Sequence, residues 1–155
     1  MSERPNEGPS KDDRSDRATD AASVVETGTV HITTENDILR ARQVIRDVAE
    51  EMEFRLTDVT RIVTAVSELA RNIHLYAEEG EMRWAKISHP RRTGLELVFD
   101  DDGPGIENVE AALQGNHSTS DGMGRGLAGT RKLVDEFDVE TGDGGTTITI
   151  RKWVT

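Results

Sequence analysis

The chain has 155 residues, no cysteine and a formal net charge of -11. That length suits one domain with a real core plus a tail. The charge excludes nucleic acid and an anionic membrane surface as main partners, because both need a positive face. The missing thiols exclude disulfides and thiolate metal sites, which fits a reducing cytoplasm. No apolar run approaches a membrane span, and the N-terminus lacks the apolar segment of a secretory signal, so a soluble cytoplasmic protein is expected.

Residues 1–23 are rich in Ser, Asp, Arg, Pro and Gly and read as a disordered polar tail, which leaves 24–155 as the folded domain. Glu26 to Thr33 alternates Val30 and Ile32 with polar residues and predicts a strand. Thr34 then opens a helix, with Asp37 placed as in a capping box. Ile38, Ala41, Val44, Ile45, Val48 and Met52 follow at helical spacing to about Glu53. Thr57 is the expected N-cap of a central helix over Asp58 to Glu79, stopped by Gly80. Glu81 to Ser88 and Leu95 to Asp100 read as a hairpin around Pro90 to Gly94. Asn108 to Leu113 suits a short helix, and Gln114 to Gly126 reads as a mobile loop, being small, polar and Gly-rich. Leu127 to Phe137 is expected to be helical, with Leu127, Leu133 and Val134 facing in. Phe137 to Thr141 and Thr146 to Trp153 form a closing hairpin around Gly142 to Gly145. Strands clustered in sequence with helices between the clusters imply a two-layer α/β sandwich: a mixed sheet with helices on one face.

Three stretches carry possible chemistry. On the central helix, Glu68 and Asn72 lie one turn apart on the same face. Two side-chain oxygens stacked in this way suit a hard cation such as Mg²⁺, which usually arrives with substrate phosphates. The plainer alternative is a solvated face on which Glu68 pairs with Arg71. Asp101-Asp102-Gly103-Pro104-Gly105 follows an apolar strand. Its acid can accept from an exocyclic amine such as adenine N6, and its glycines let backbone approach a flat ring. The same residues also make an ordinary acidic turn. Gly122, Gly124 and Gly126 precede a helix and can turn N–H groups toward phosphate. Ser118, Thr119 and Ser120 lie just upstream, with His117, and their hydroxyls can bond phosphate oxygens or simply solvate a loop. The Gly-Lys-Ser/Thr ending of a P-loop is missing, and no buried strand precedes the glycines as a dinucleotide fingerprint requires. His31, His74 and His89 have no metal-ligand spacing.

In this order, Glu68…Asn72, Asp101-x-Gly103-x-Gly105, Gly122-x-Gly124-x-Gly126 and Gly145-Thr146 resemble the four nucleotide-binding boxes of the GHKL (Bergerat) ATPase superfamily. Within it the chain resembles the RsbT-type serine/threonine kinases of the anti-sigma-factor kinase family. Ser67 to Ile73, Leu75 to Ala77, Asp102 to Ile106, Ser118 to Ser120 and Leu133 to Phe137 carry that resemblance, which covers roughly residues 28–153. It departs at Asp143, where a glycine is common.

The resemblance implies an ATP- and Mg²⁺-dependent kinase with a mobile ATP lid at about 107–126. Glu68 is then the general base and Asn72 the Mg²⁺ ligand. Asp101 reads adenine, and Gly103 and Gly105 shape the base pocket. Ser118, Thr119, Gly122, Gly124 and Gly126 face the phosphates, and Thr146 supports the adenine end. The implied acceptor is a Ser or Thr on a STAS-domain antagonist in a stress-response partner-switching pathway (a stressosome). A PP2C-type phosphatase, or its regulatory domain, is the implied later partner. Two alternatives stand beside this: an ATP-bound anti-sigma-factor module with little or no catalysis, and a detached histidine-kinase ATPase domain.

Overall fold

The computed structural model describes residues 22–115 and 126–155. Its elements are β1 (Ser23–Ile32), α1 (Glu35–Glu51), α2 (Leu56–Tyr76), β2 (Gly80–His89), β3 (Arg92–Asp101), α3 (Val109–Gln114), α4 (Leu127–Arg131), β4 (Glu136–Gly142) and β5 (Gly145–Trp153). The five strands form one sheet in the order β1-β2-β3-β5-β4.

Alternation on the strands sets the layers. Leu95, Leu97 and Phe99 point one way from β3, and their partners Trp84, Met82, Ile150 and Ile148 share that face. These side chains join the core, which the inner stripes of α1 and α2 complete. On α1 that stripe is Ile38, Ala41, Ile45, Val48 and Ala49. On α2 it runs from Val59 to Ile73 and includes Ile62, Val66 and Leu69. Phe99, at 2% exposure, is worth about 1.5–3 kcal/mol by burial. The helices therefore cover one face of the sheet, as expected. The opposite face carries Arg83, Glu96, Asp100 and Arg151, with a small apolar group of Ala85, Ile87 and Trp153.

Several boundaries differ from the expectations. The sheet is antiparallel at each of its pairings and not mixed, because every neighbouring pair runs in opposite directions. β1 begins at Ser23, which pairs with Ser88, so β2 extends the strand beyond what alternation alone suggests. The capping box at Thr34 and Asp37 is present: Asp37 N donates to Thr34 Oγ1, and Thr34 N donates to Asp37 Oδ2. The central helix begins at Leu56 with Arg55 as its N-cap, so Thr57 lies inside it. It ends at Tyr76, short of Glu79, and Ala77 is already extended. There Glu79 N donates to Asp102 Oδ1, and Asp102 N donates to Glu79 O. A tertiary contact thus holds the backbone that would otherwise continue the helix. The expected helix over Leu127 to Phe137 stops at Arg131. Phe137 lies in β4 opposite Ile150, as the expected closing hairpin has it, and that strand already begins at Glu136. The hairpins close more tightly than expected, around Pro90-Arg91 and around Asp143-Gly144. Residues 1–21, most of the expected tail, lie outside the described residues.

Candidate nucleotide and phosphoryl-transfer site

The site is built on α2 and on the ends of β3 and β5. Helical spacing places Glu68 and Asn72 on one face of α2. Glu68 is half-exposed, and Arg71 Nη1 lies 3.7 Å from its Oε2. The i, i+3 pair foreseen as the plain alternative is therefore present, though loose. Asn72 is buried at 6% exposure and is held in place by its surroundings. Burial of a carboxamide is costly without partners, so this side chain has a set orientation.

Gly126 is the first residue described after residues 116–125. It caps α4 with φ +84°, a backbone that side-chain-bearing residues rarely adopt. A Cβ built there would lie 3.1 Å from Glu68 Oε1. Gly126 is thus laid against the carboxylate expected to act as base. Thr130 Oγ1 donates to Gly126 O and holds that first turn.

Asp101 ends β3, opposite Thr146 on β5. Its Oδ1 accepts from Gly103 N at 2.8 Å. Burial pushes the Asp101 carboxyl above its ordinary value; the amides of Gly103 and Thr146 pull the other way, and the charges of Asp100 and Asp102 add to the rise. Two fixed backbone donors orient the carboxylate and leave it lone pairs for a ligand amine. Thr146 is buried at 2% exposure, and its hydroxyl lies 2.8 Å from that of Thr141. Thr141 Oγ1 in turn accepts from Ile106 N. Gly105 has φ +88°, and a Cβ there would run into the carbonyl of Gly142. The turn after β3 is therefore clamped onto the β4–β5 hairpin. The same turn meets the end of α2, since a Cβ on Gly103 would lie 2.9 Å from Ala77 Cβ.

Of the sequence-derived candidates, the structure brings Glu68 to Gly126 and Asp101 to Gly103 and Thr146. The end of α2 links the two groups. Ser118, Thr119, Gly122 and Gly124 lie outside the described residues. Thr141 was not foreseen. Its hydroxyl joins segments distant in sequence, and no local pattern marks such a residue. No group of three or more His, Cys, Asp or Glu suited to a metal occurs among the described residues. Side-chain oxygens from Glu68 and Asn72 remain a donor set that fits Mg²⁺ with water and phosphate as its other ligands.

A depression of 540 Å³ is lined by Asp101 together with His31, Glu79, Glu81, Asp100 and Asp102 among others. Its carboxylates would repel a triphosphate, so it is not the phosphate channel. No helix among the described residues is long and apolar enough to cross a membrane.

Comparison with known proteins places the chain in a family. The family described as the histidine kinase-like ATPase domain matches residues 32–152. The serine/threonine-protein kinase RsbT of Bacillus subtilis (strain 168) is 44% identical over 126 residues, which cover 81% of this chain and 95% of the relative. An anti-sigma F factor of Caldanaerobacter subterraneus subsp. tengcongensis is 29% identical over 121 residues, covering 74% of this chain and 83% of the relative. Among solved structures, the RsbU and RsbW domains of a Mycobacterium tuberculosis protein superpose with a TM-score of 0.54 at 26% identity. That match covers 81% of this chain but only 32% of the other.

Proposed function

The chain belongs to the histidine kinase-like ATPase domain family as an RsbT-type serine/threonine kinase, and from that premise we propose that it transfers the γ-phosphoryl group of ATP to a Ser or Thr on a STAS-domain protein. The observation that carries this is the placement of Glu68: a half-exposed carboxylate on α2, close against Gly126 at the start of α4. A module that only binds has no use for an accessible carboxylate there.

The division of labour follows from the residues. Asp101 accepts the adenine amine, positioned by the amides of Gly103 and Thr146. The Thr146–Thr141 hydroxyl pair holds the β4–β5 hairpin beside it, and Gly105 lets the turn close onto Gly142. Gly126 offers backbone N–H to phosphate, together with Gly122, Gly124, Ser118 and Thr119 of the loop. Asn72 would hold Mg²⁺. When bound, that ion supplies charge neutralisation on the phosphates.

In the transfer itself the acceptor oxygen bonds to the γ-phosphorus while the bond from phosphorus to the β,γ-bridging oxygen breaks. ADP leaves with that electron pair, and Glu68 takes the hydroxyl proton. Phosphoryl transfer is mostly positioning and charge neutralisation, so one carboxylate suffices as base. The pathway we propose is partner switching in a stress response: the kinase is held by the STAS-domain protein, modifies it, leaves, and then engages a PP2C-type phosphatase or its regulatory domain. The similarity to anti-sigma F factors favours a second reading, an ATP-bound module that sequesters a sigma factor with little catalysis.

One experiment separates the two. Labelled phosphate from γ-³²P ATP is offered with a purified STAS-domain protein encoded near this chain, to wild type and to Glu68→Gln. Acid-stable label from wild type, reduced on the order of a hundredfold or more in the variant at unchanged ATP affinity, is the expected result. Binding of both ATP and partner without label would give the second reading precedence. Acid-labile label would point to a histidine acceptor.

A further inference from the structure

Beside Glu68, α1 and α2 enclose a groove of 290 Å³ lined by Glu35, Asn36, Ile38, Leu39, Arg42 and Arg71. Arg71 belongs to both places: it lines the groove and pairs loosely with Glu68. Leu75 lies one turn further along the same face of α2. Leu39 and Leu75 are each 56% exposed, and the described chain has few other large apolar side chains so open to water. Neither is needed by the core, which α1 and α2 fill from their inner stripes. Exposed leucines around a guanidinium pair are the composition of a recognition surface.

The charge of the groove sets the chemistry of its occupant. Arg42 is partly buried, lines the groove, and makes no ion pair among the described residues. The neighbouring Arg40, by contrast, is already paired with Asp37 at 3.0 Å. Among the described residues, Arg71 has only its loose contact with Glu68, a carboxylate the transfer step uses. Glu35 at the rim offsets part of this charge, but the groove still holds two guanidinium groups on a protein of net charge -11. A local positive site on an acidic surface selects a carboxylate-bearing partner and repels little of it at short range.

We propose that this groove docks the acceptor protein, taking an acidic and apolar segment next to the modified hydroxyl: carboxylates on Arg42 and Arg71, an apolar side chain against Ile38, Leu39 and Leu75. The continuity from groove to base through Arg71 means that a segment seated there delivers its neighbouring hydroxyl to Glu68. This rests on the kinase reading above.

The test uses the full chain and the purified STAS-domain protein, with acceptor affinity and ATP affinity measured separately by calorimetry. Arg42→Glu and Leu39→Asp should each weaken acceptor binding about tenfold or more, a change of about 1.4 kcal/mol per tenfold, with ATP affinity within about twofold of wild type. Leu56→Asp is the control: Leu56 is 74% exposed at the start of α2 and does not line the groove, so acceptor binding should be unchanged. Unchanged acceptor affinity in both groove variants overturns the docking assignment and leaves the kinase reading intact. Loss of ATP affinity in Arg42→Glu also overturns it, and assigns the arginines to phosphate. Failure of wild type itself to bind the acceptor removes the kinase reading on this partner, and the docking assignment with it.

Discussion

Asp101→Asn separates ligand recognition from stability. In the folded chain the Asp101 carboxylate accepts N–H groups from Gly103, at 2.8 Å, and from Thr146. Hydrogen bonds to a charged group contribute about 1.5–3 kcal/mol each, and asparagine offers one oxygen where aspartate offers two. Its NH₂ would meet either a backbone donor or the adenine amine. Burial, however, disfavours the charge that asparagine lacks, which is why the carboxyl is shifted upward. The two effects oppose each other in the free protein, so the net stability change should stay within about 1 kcal/mol, or about 2–4 °C in Tm. In the complex nothing offsets the lost acceptor. ATP should bind about 10–100-fold more weakly, or about 1.4–2.8 kcal/mol. Calorimetry with ATP and with the purine triphosphate lacking the 6-amino group measures both arms. Wild type should lose affinity for the second ligand, and Asp101→Asn should lose little more, because the two changes remove the same contact. Additive losses would mean that Asp101 does not face the amine. A large drop in Tm with unchanged ATP affinity would refute the reasoning altogether.

Other perturbations test neighbouring parts. Gly126→Ala puts a Cβ into a left-handed backbone at φ +84° and 3.1 Å from Glu68 Oε1. About 1–2 kcal/mol of strain is expected, with a larger loss in phosphoryl transfer than in stability; thermal melting and single-turnover transfer on one preparation compare the two. Thr34→Ala removes the hydroxyl that accepts from Asp37 N. It should cost about 1 kcal/mol in urea unfolding and leave ATP affinity unchanged. Asp37 itself is held well below the usual carboxylate range by the amides of Thr33 and Thr34. Its stabilisation is therefore complete above the ordinary carboxylate pKa and is lost as pH falls below it, and Asp37→Asn should flatten that acid loss in urea titrations from pH 5 to pH 2. Asp101 has the opposite sign. Its raised value means stability falls as pH rises from 3.8 through the folded-state value, and Asp101→Asn should remove that fall in urea midpoints.

Much of this molecule is legible along the chain because its signals are local. The capping box at Thr34 and Asp37 spans one turn, and the alternation of Leu95, Leu97 and Phe99 needs no partner to be read. Glu68 and Asn72 share a face by helical geometry alone. The glycine boxes are also local, since each supplies a backbone property of its own stretch. Local patterns mislead where distant segments compete. Leu127 to Phe137 has helical spacing, but the helix ends at Arg131 and Asp135 is already bonded to Arg151 and Trp153 of β5. Glu78 and Glu79 suit a helix, yet contacts between Glu79 and Asp102 pull the chain out of it after Tyr76.

The sequence by itself determined the element types, the two-layer architecture and the residue types available for chemistry, because hydrophobic period, caps and glycines act over a few residues. Tertiary structure alone decided that β1 with β2 and β3 with β5 also pair antiparallel, that Gly126 lies against Glu68, that Thr146 N–H helps orient Asp101, and that Arg42 and Arg71 share one groove. Each of these joins residues far apart along the chain. Their geometry follows from how the sheet and helices close on a common core, which no local pattern records.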